Sequence, residues 1–127
     1  MSKILLIESD KLLARTYKKA LEHAGYDVKL AAGAQDAISQ ADEQTPDLVI
    51  LELQIAAHNG VEFLYEFRSY PEWQSLPVII NSLVPPGEMD ENTVFWDYLA
   101  VSAYLYKPRT NLSELIYAVD NCLAAAF

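Results

Sequence analysis

The chain has 127 residues, of which 52% are apolar and 21% are charged, a composition that excludes a disordered or low-complexity protein. This length suits one domain around a single core, and we expect one domain over residues 1–127. Nine basic and 18 acidic side chains give a formal net charge of -9, which disfavours binding to nucleic acid or to an anionic membrane surface. A protein partner is the expectation that remains.

Two features bear on location and redox chemistry. The apolar run that follows Lys3 is too short for a signal peptide or a membrane span. The single cysteine, Cys122, cannot form an internal disulfide, and we expect it to be a small buried apolar residue. Together they predict a cytoplasmic protein.

Five short segments predict β-strands. Continuous apolar runs are typical of parallel strands covered on both faces, and such runs occur at residues 4–7, 48–51 and 78–80. Residues 26–31 alternate like a more exposed strand, and residues 103–106 form a last one. The intervals between these five segments are long enough to hold helices.

Helical periodicity fills the intervals between these strands. The predicted helices cover residues 11–24, 34–41, 60–68, 90–101 and 112–123. Ser9 or Asp10 could cap the first helix and Gly25 ends it, whereas Asn111 and Glu114 form a capping box at the last. The side chains that the last helix is expected to bury are Leu112, Leu115, Ile116, Val119 and Leu123. This alternation predicts a three-layer α/β domain with a parallel sheet and a site at the carboxyl ends of its strands.

Polar side chains follow these strand ends. Glu8 and Ser9 follow the first strand, Glu52 the third, Ser82 the fourth, and Lys107 the last. Carboxylates brought together by a fold repel one another unless a cation lies between them, and Lys107 or a divalent ion could supply that charge. The sequence therefore predicts a charged site at this edge of the sheet.

Four ordered motifs resemble the receiver domain of bacterial response regulators. They are Lys3–Asp10, Pro46–Glu52 with Gly60 eight residues later, Pro77–Ser82 and Tyr104–Pro108. The resemblance implies a doubly wound (βα)5 fold with a five-stranded parallel sheet in the order 2-1-3-4-5. It also implies a non-enzymatic role in two-component phosphorelay signal transduction.

The same resemblance assigns roles to the strand-end residues. In the family an acidic pair and an aspartate hold Mg²⁺, the aspartate is phosphorylated, and a hydroxyl residue and a lysine before a cis proline contact the phosphoryl group. By position, Glu8 and Ser9 take the acidic pair, Glu52 the phospho-acceptor, Ser82 the hydroxyl, Lys107 and Pro108 the lysine and proline, and Tyr104 the aromatic switch.

Two of these positions depart from the family pattern. Ser9 replaces a carboxylate, and a neutral hydroxyl is a poor substitute for an anionic oxygen at Mg²⁺. Glu52 replaces an aspartate and carries its carboxylate roughly 1.5 Å further out, where in-line transfer tolerates little displacement. We expect no cofactor, and any Mg²⁺ would be bound weakly, by Glu8 and Glu52.

Two interpretations of Glu52 remain open. Its longer side chain could place a negative charge where phosphoryl oxygens would lie, near Lys107 and Ser82, and so imitate the phosphorylated state. Alternatively, Glu52 only keeps Lys107 neutralised after a lost function. Both interpretations predict a direct ion pair between Lys107 and Glu52.

A concentration of aromatic residues predicts the partner surface. Trp96, Tyr106 and Tyr117 fall on the last helices and last strand, and Trp96 lies off the apolar stripe of its predicted helix, which includes Val101. Large aromatics are frequent anchors at interfaces, so we expect contact with a signalling protein or with a second copy as a homodimer. The turn before the last strand has Ala100 where receivers commonly have glycine.

The sequence is therefore interpreted as a stand-alone, divergent receiver (a pseudo-receiver) that acts by protein-protein contact without normal phosphorylation. One alternative is a phosphorylatable, Mg²⁺-dependent receiver, which Glu52 and Ser9 disfavour. Another is a small-ligand-binding module of the flavodoxin type, which would need a phosphate-cradling loop in place of the acidic segment after the first strand.

Overall fold

A computed structural model describes residues 1–55, 58–86 and 99–126. Five parallel strands form the main sheet: β1 (Lys3–Ile7), β2 (Asp27–Ala31), β3 (Leu48–Leu51), β6 (Val78–Ser82) and β7 (Val101–Tyr106). They lie in the order β2-β1-β3-β6-β7. Counted along the chain within this sheet, the order is 2-1-3-4-5, which confirms the predicted topology. A short antiparallel pair, β4 (Gln54–Ile55) and β5 (His58–Asn59), follows β3.

Four helices are described, and the caps predicted for the first and the last of them are present. They are α1 (Lys11–His23), α2 (Ala34–Glu43), α3 (Gly60–Ser69) and α4 (Leu112–Ala126), with 3-10 turns at Pro71–Trp73 and Lys107–Arg109. Asp10 caps α1 through its side chain, and Gly25, with φ of 102°, follows its end. Asn111 and Glu114 exchange side-chain and backbone hydrogen bonds at α4, so the predicted capping box is confirmed.

The core lies in two layers because successive side chains of each buried strand point to opposite faces of the sheet. Leu5, Ile7 and Leu51 face α2 and α3, where Phe67 is fully buried. The alternate strand residues, which include Ile4, Leu6, Ile50 and Ile79, face α1 and α4, where Leu115 and Val119 of α4 are buried. The three-layer prediction is thus confirmed.

Several local predictions need correction. The segment predicted as a helix over residues 90–101 falls mostly outside the described residues, but its end does not hold because Val101 already pairs with Val78 in β7. Leu112, predicted as core, is 39% exposed because it is the first residue of α4 and precedes the buried turn. Cys122 is half-buried against the α1/α4 layer, and burial raises the pKa of its thiol.

Among the described helices, none is long and apolar enough to cross a membrane.

Ala100 adopts a left-handed backbone conformation, with φ of 50°, at the turn into β7. An L side chain is disfavoured there by about 1–2 kcal/mol, and this is the position where the family commonly has glycine. Arg68 donates hydrogen bonds to the carbonyls of Leu99 and Ala100, at 2.8 and 3.1 Å, and so holds the turn. The turn therefore closes without glycine, but under strain.

We predict that Ala100→Gly stabilises the protein. The gain in unfolding free energy should be about 0.5–1 kcal/mol, because relief of the left-handed strain exceeds the entropy that glycine adds to the unfolded chain. Urea denaturation of the wild type and variant measures it. Destabilisation would mean that the alanine methyl group makes contacts worth more than the strain.

Candidate functional site

The parallel sheet brings four strand ends together at one edge. β1, β3 and β6 are neighbours, and β7 lies beside β6, so the residues that end or follow these strands meet. Glu8 is 5% exposed, Glu52 3% and Ser82 fully buried. The side chain of Lys107 is 7% exposed. The predicted charged site therefore exists and is enclosed by protein.

Lys107 joins the two carboxylates of the site. Its Nζ lies 2.7 Å from Glu52 Oε1 and 2.5 Å from Glu8 Oε1. Burial alone would lower the pKa of the Lys107 ammonium, but its hydrogen bonds and charge interactions with Glu52 and Glu8 raise it overall. The predicted pair with Glu52 is confirmed, and Glu8 is a second partner that the prediction did not specify.

Both carboxylate oxygens of Glu52 are bound. Oε1 accepts from Lys107 and from the backbone N–H of Leu83 at 3.0 Å. Oε2 accepts from the Ser82 hydroxyl and from the backbone N–H of Gln54 at 3.1 Å. Burial alone would raise the pKa of this carboxyl, but these hydrogen bonds together lower it, so Glu52 is anionic at neutral pH.

Gly60 makes the close approach beside Glu52 possible. Its N–H donates to the Leu53 carbonyl at 2.7 Å, and a Cβ at this position would lie 2.7 Å from Leu53 Cα and 3.1 Å from the Glu52 carbonyl oxygen. The start of α3 can therefore pack against the chain that leaves β3 only if residue 60 has no side chain. The spacing of eight residues from Glu52 to Gly60 reflects this contact.

The acidic-pair positions behave differently from each other. Glu8 joins the ion-pair cluster, and its Oε2 accepts from the Asp10 N–H at 3.1 Å. Asp10 turns to the backbone of α1, where its Oδ1 accepts from the N–H groups of Leu12 and Leu13. Within the described part of the chain Ser9 is half-buried and takes no part in the contacts of Lys107 and Glu52.

The residues at the switch positions lie beside this cluster. The half-buried Tyr104 donates from its hydroxyl to the Val84 carbonyl at 2.6 Å, and its ring packs against the α2/α3 layer. Pro108 is exposed in the 3-10 turn Lys107–Arg109. The resemblance implied a cis bond before Pro108; this is wrong, because no described peptide bond is cis and the turn accommodates a trans bond.

The site does not fit a Mg²⁺ ion. The point between Glu8 and Glu52 where a cation would neutralise both carboxylates is taken by the Lys107 ammonium. Ser9 contributes no charge, and within residues 1–55, 58–86 and 99–126 no group of three or more His, Cys, Asp or Glu side chains could hold a metal ion. No chemical step is therefore assigned to a metal here.

The predicted partner face is described only in part. Tyr117 is 68% exposed on α4, whereas Tyr106 is half-buried on β7. Trp96 lies outside the described residues, so its role as an anchor stays a prediction.

Three contributors to the site were not anticipated from the sequence. The backbone N–H groups of Leu83 and Gln54 carry no side-chain signal, although both follow strand ends where free N–H groups are expected. The third is Tyr17 of α1, whose ring centroid lies 6.0 Å from Lys107 Nζ. Its helical spacing indicated only a core position, which it also occupies.

Comparison with known proteins finds response regulators among the sequence relatives of this chain. Response regulator ArlR of Staphylococcus saprophyticus is 32% identical over 116 residues, which cover 91% of this chain and 50% of that protein. The KDP operon transcriptional regulatory protein KdpE of Escherichia coli is 33% identical over 82 residues, covering 65% and 35%. The chain thus spans about half the length of the first of these relatives, and less of the second.

Solved structures agree with the sequence relatives. A sensor protein from Polaromonas superimposes with a TM-score of 0.87 at 25% identity, covering 98% of this chain and 97% of that one. The chemotaxis response regulator CheY4 of Vibrio cholerae gives 0.84 at 20% identity, covering 95% and 98%. The family model for the response regulator receiver domain matches residues 4–120. The resemblance drawn from the four motifs is therefore confirmed: the chain belongs to the receiver domain family of the response regulators of two-component signalling.

Proposed function

We propose that this domain is a receiver that signals without being phosphorylated, and that Glu52 supplies permanently the negative charge that phosphorylation supplies in other receivers. The observation that supports this most directly is the pair of contacts from Ser82 and Lys107 to the Glu52 carboxylate. These are the two side chains whose family counterparts contact a phosphoryl group.

The Glu52 carboxylate is poorly placed to accept a phosphoryl group. An acceptor carboxylate must present a free oxygen in line with the leaving group of the donor. Here both oxygens are engaged, one by Lys107 and the Leu83 N–H, the other by Ser82 and the Gln54 N–H. With the side chain 3% exposed, a phosphodonor would have to displace these contacts before reacting.

Imitation of the phosphorylated state explains more of the contacts than neutralisation of Lys107 does. Neutralisation requires only an ion pair, which Glu8 already provides. Glu52 also binds one hydroxyl and two N–H groups, which together form an anion-binding set around it. The hydrogen bond from the Tyr104 hydroxyl to the Val84 carbonyl also connects β7 to the segment that follows Ser82. It thereby holds the residues at the two switch positions, Ser82 and Tyr104, in one fixed arrangement.

The output of the domain is proposed to be contact with a protein partner, in the cytoplasm and without enzymatic activity. The formal charge of -9 argues against nucleic acid and anionic membranes as the surface it binds. Partner surface is proposed around the exposed Tyr117 and the segment that contains Trp96, and a second copy of the chain is one such partner.

The proposal predicts that phosphodonors have no effect. Incubation with Mg²⁺ and acetyl phosphate should leave the intact mass unchanged, and beryllofluoride should leave the amide NMR spectrum unchanged, because the acceptor oxygens are already bound. The matched control is the double variant Ser9→Asp/Glu52→Asp, which restores the family residues and should regain metal binding and the beryllofluoride response.

A mass increase of one phosphoryl group on Glu52 would overturn the proposal and identify a Mg²⁺-dependent receiver. If the double variant binds no metal, the loss of phosphorylation has a wider cause than these two residues, and the assignment of the block to Ser9 and Glu52 is wrong.

A further inference from the structure

We propose that a cleft beside Arg68 binds a small organic carboxylate, with the carboxylate on the guanidinium and the apolar part of the ligand against Leu76 and Pro77. Most of the cleft is built from the segments that lead into β6 and β7, so it lies at the edge of the sheet opposite the Lys107 site. The proposal therefore concerns a second site. It does not depend on whether Glu52 imitates a phosphorylated residue.

The cleft has the size and the construction of a small-molecule site. Its volume is about 320 Å³, at the lower end of the range of about 300–1,000 Å³ that is typical of ligand pockets. Arg68 is 3% exposed, whereas Ser75 and Ser102, which also line the cleft, are exposed. The cleft thus opens to solvent between polar side chains and has a buried cation as its inner wall.

The guanidinium keeps hydrogen-bonding capacity for a ligand. It has five N–H groups, and three of them donate to backbone carbonyls, those of Trp73, Leu99 and Ala100. Nη1 and Nη2 each retain one N–H that has no acceptor among the described residues. Ala100, whose carbonyl accepts from Nη2, itself lines the cleft, so this end of the guanidinium lies beside the open space.

The positive charge of Arg68 also lacks a counter-charge. Within the described ranges no carboxylate forms an ion pair with it, and burial lowers the pKa of the guanidinium. A buried charge that is hydrogen-bonded but not neutralised is stabilised further by an opposite charge brought close to it. A carboxylate suits this position because its two oxygens match the fork of N–H groups that a guanidinium presents.

The remaining walls favour an organic anion over an inorganic one. Leu76 and Pro77 are half-buried apolar residues of the cleft, and Pro77 has no N–H to offer. Inorganic phosphate would need donors on several sides, whereas here the one cationic group faces apolar surface. A carboxylate with a short apolar body uses both, and benzoate is a probe of this class. We expect a dissociation constant on the order of 1–10 mM, since the ligand is small and the net charge of -9 opposes anions.

The only cysteine of the chain provides a reporter, because the half-buried Cys122 lines the same cleft. Iodoacetamide, a neutral reagent, alkylates the thiolate, and a ligand in the cleft should block it. With benzoate at ten times its dissociation constant, alkylation of the folded protein should slow by about tenfold, because about one molecule in eleven remains unoccupied. Benzamide has the same shape without the charge and should give little protection. All samples are kept at one ionic strength with NaCl.

A matched pair of variants tests the charge without disturbing Arg68 and the turn that it holds. Ser102→Glu places a carboxylate at the exposed mouth of the cleft and should reduce the affinity for benzoate by about tenfold or more through repulsion and competition for the guanidinium. Ser102→Gln adds a neutral side chain of the same size and should bind benzoate as the wild type does. The ratio of alkylation rates with and without benzoate is measured within each variant, so their intrinsic rates do not matter.

NMR locates the bound ligand independently of the cysteine. Benzoate should shift the Arg68 Nε–H signal and the amide signals of Ser75 and Ser102 in wild-type protein. The proposal is overturned if these signals are unmoved at about 50 mM benzoate, several times the weakest dissociation constant expected. It is also overturned if benzamide or inorganic phosphate protects Cys122 as well as benzoate does, or if Ser102→Glu and Ser102→Gln bind benzoate equally. No phosphodonor enters these experiments, so this proposal and the proposed function can fail separately.

Discussion

Replacing Lys107 with methionine should lower the free energy of unfolding at pH 7 by about 3–5 kcal/mol, the range seen when one partner of a buried ion pair is removed. Methionine keeps much of the side-chain volume but leaves Glu8 and Glu52 buried as neighbouring carboxylates with no counter-charge. Their mutual repulsion and their lost hydration then oppose folding. Urea denaturation, with a check that the slope of the transition is unchanged, measures the loss.

The pH dependence should distinguish this electrostatic loss from a loss of packing. The pKa of Glu52 is lowered in the folded protein, so its contribution is complete above the ordinary glutamate pKa and is lost as the pH falls through the folded value. The pKa of Lys107 is raised, so its contribution is complete below the ordinary lysine pKa and is lost as the pH rises through the folded value. Acidification below the ordinary glutamate pKa should therefore destabilise the wild type.

The variant should respond in the opposite direction. Without Lys107 the buried carboxylates favour their protonated forms, so the folded state binds more protons than the unfolded one and stability increases as the pH falls from about 7 to about 5. The matched control is Lys29→Met, which removes an exposed lysine of β2 and should change the unfolding free energy by about 0.5 kcal/mol or less. A Lys107→Met variant that is as stable as this control, with the wild-type pH profile, would show that the ion pairs contribute nothing.

The strand pattern was predictable because burial on both faces leaves a continuous apolar run. Residues 4–7 and 48–51 are fully buried as predicted, since each strand packs against a helix on either side. Boundaries were less accurate where exposure is partial. Strand β7 begins at Val101, two residues before the predicted start, because its first residues pair with β6 at a register shift that side-chain pattern does not encode.

The site was predictable as a set of side chains and in one contact, the Lys107–Glu52 pair, but not in its other contacts. Parallel strands place their carboxyl ends at one edge, and that rule alone brought Lys107 to Glu52. It could not rank Glu8 against Glu52 as the partner of Lys107, because both follow central strands. It also could not identify the N–H groups of Leu83 and Gln54 as ligands, since any residue type except proline supplies a backbone donor.

The turn at Ala100 shows a different limit of prediction from the sequence. The missing glycine was visible in the sequence, but the sequence does not show how the chain turns without it. The structure takes a strained turn at Ala100, and what holds it is Arg68 of α3, about thirty residues earlier in the chain. Helical spacing placed Arg68 at the end of an amphipathic segment and indicated nothing about a contact so distant in sequence.

We expect Arg68→Met to lower the free energy of unfolding by about 3 kcal/mol, because it leaves buried carbonyl groups without donors. The Arg68 side chain, 3% exposed, donates to the carbonyls of Leu99, Ala100 and Trp73, the last at 2.6 Å. It thereby joins α3 to the turn that enters β7 and to the 3-10 turn Pro71–Trp73. Within the described ranges no carboxylate forms an ion pair with it, and burial lowers the pKa of its guanidinium.

The variant Arg68→Lys separates the role of charge from that of geometry. A lysine side chain would carry the same charge but cannot direct three N–H groups to three separate carbonyls, so Arg68→Lys should recover less than half of the loss. Arg109→Met, which removes an exposed arginine, is the matched control and should be nearly neutral.

Combining Arg68→Met with Ala100→Gly tests the connection between Arg68 and the turn directly. The glycine should stabilise the protein more in the Arg68→Met background than in the wild type, because the strain at Ala100 is then no longer held by the guanidinium. Strictly additive effects would show that Arg68 does not hold this turn.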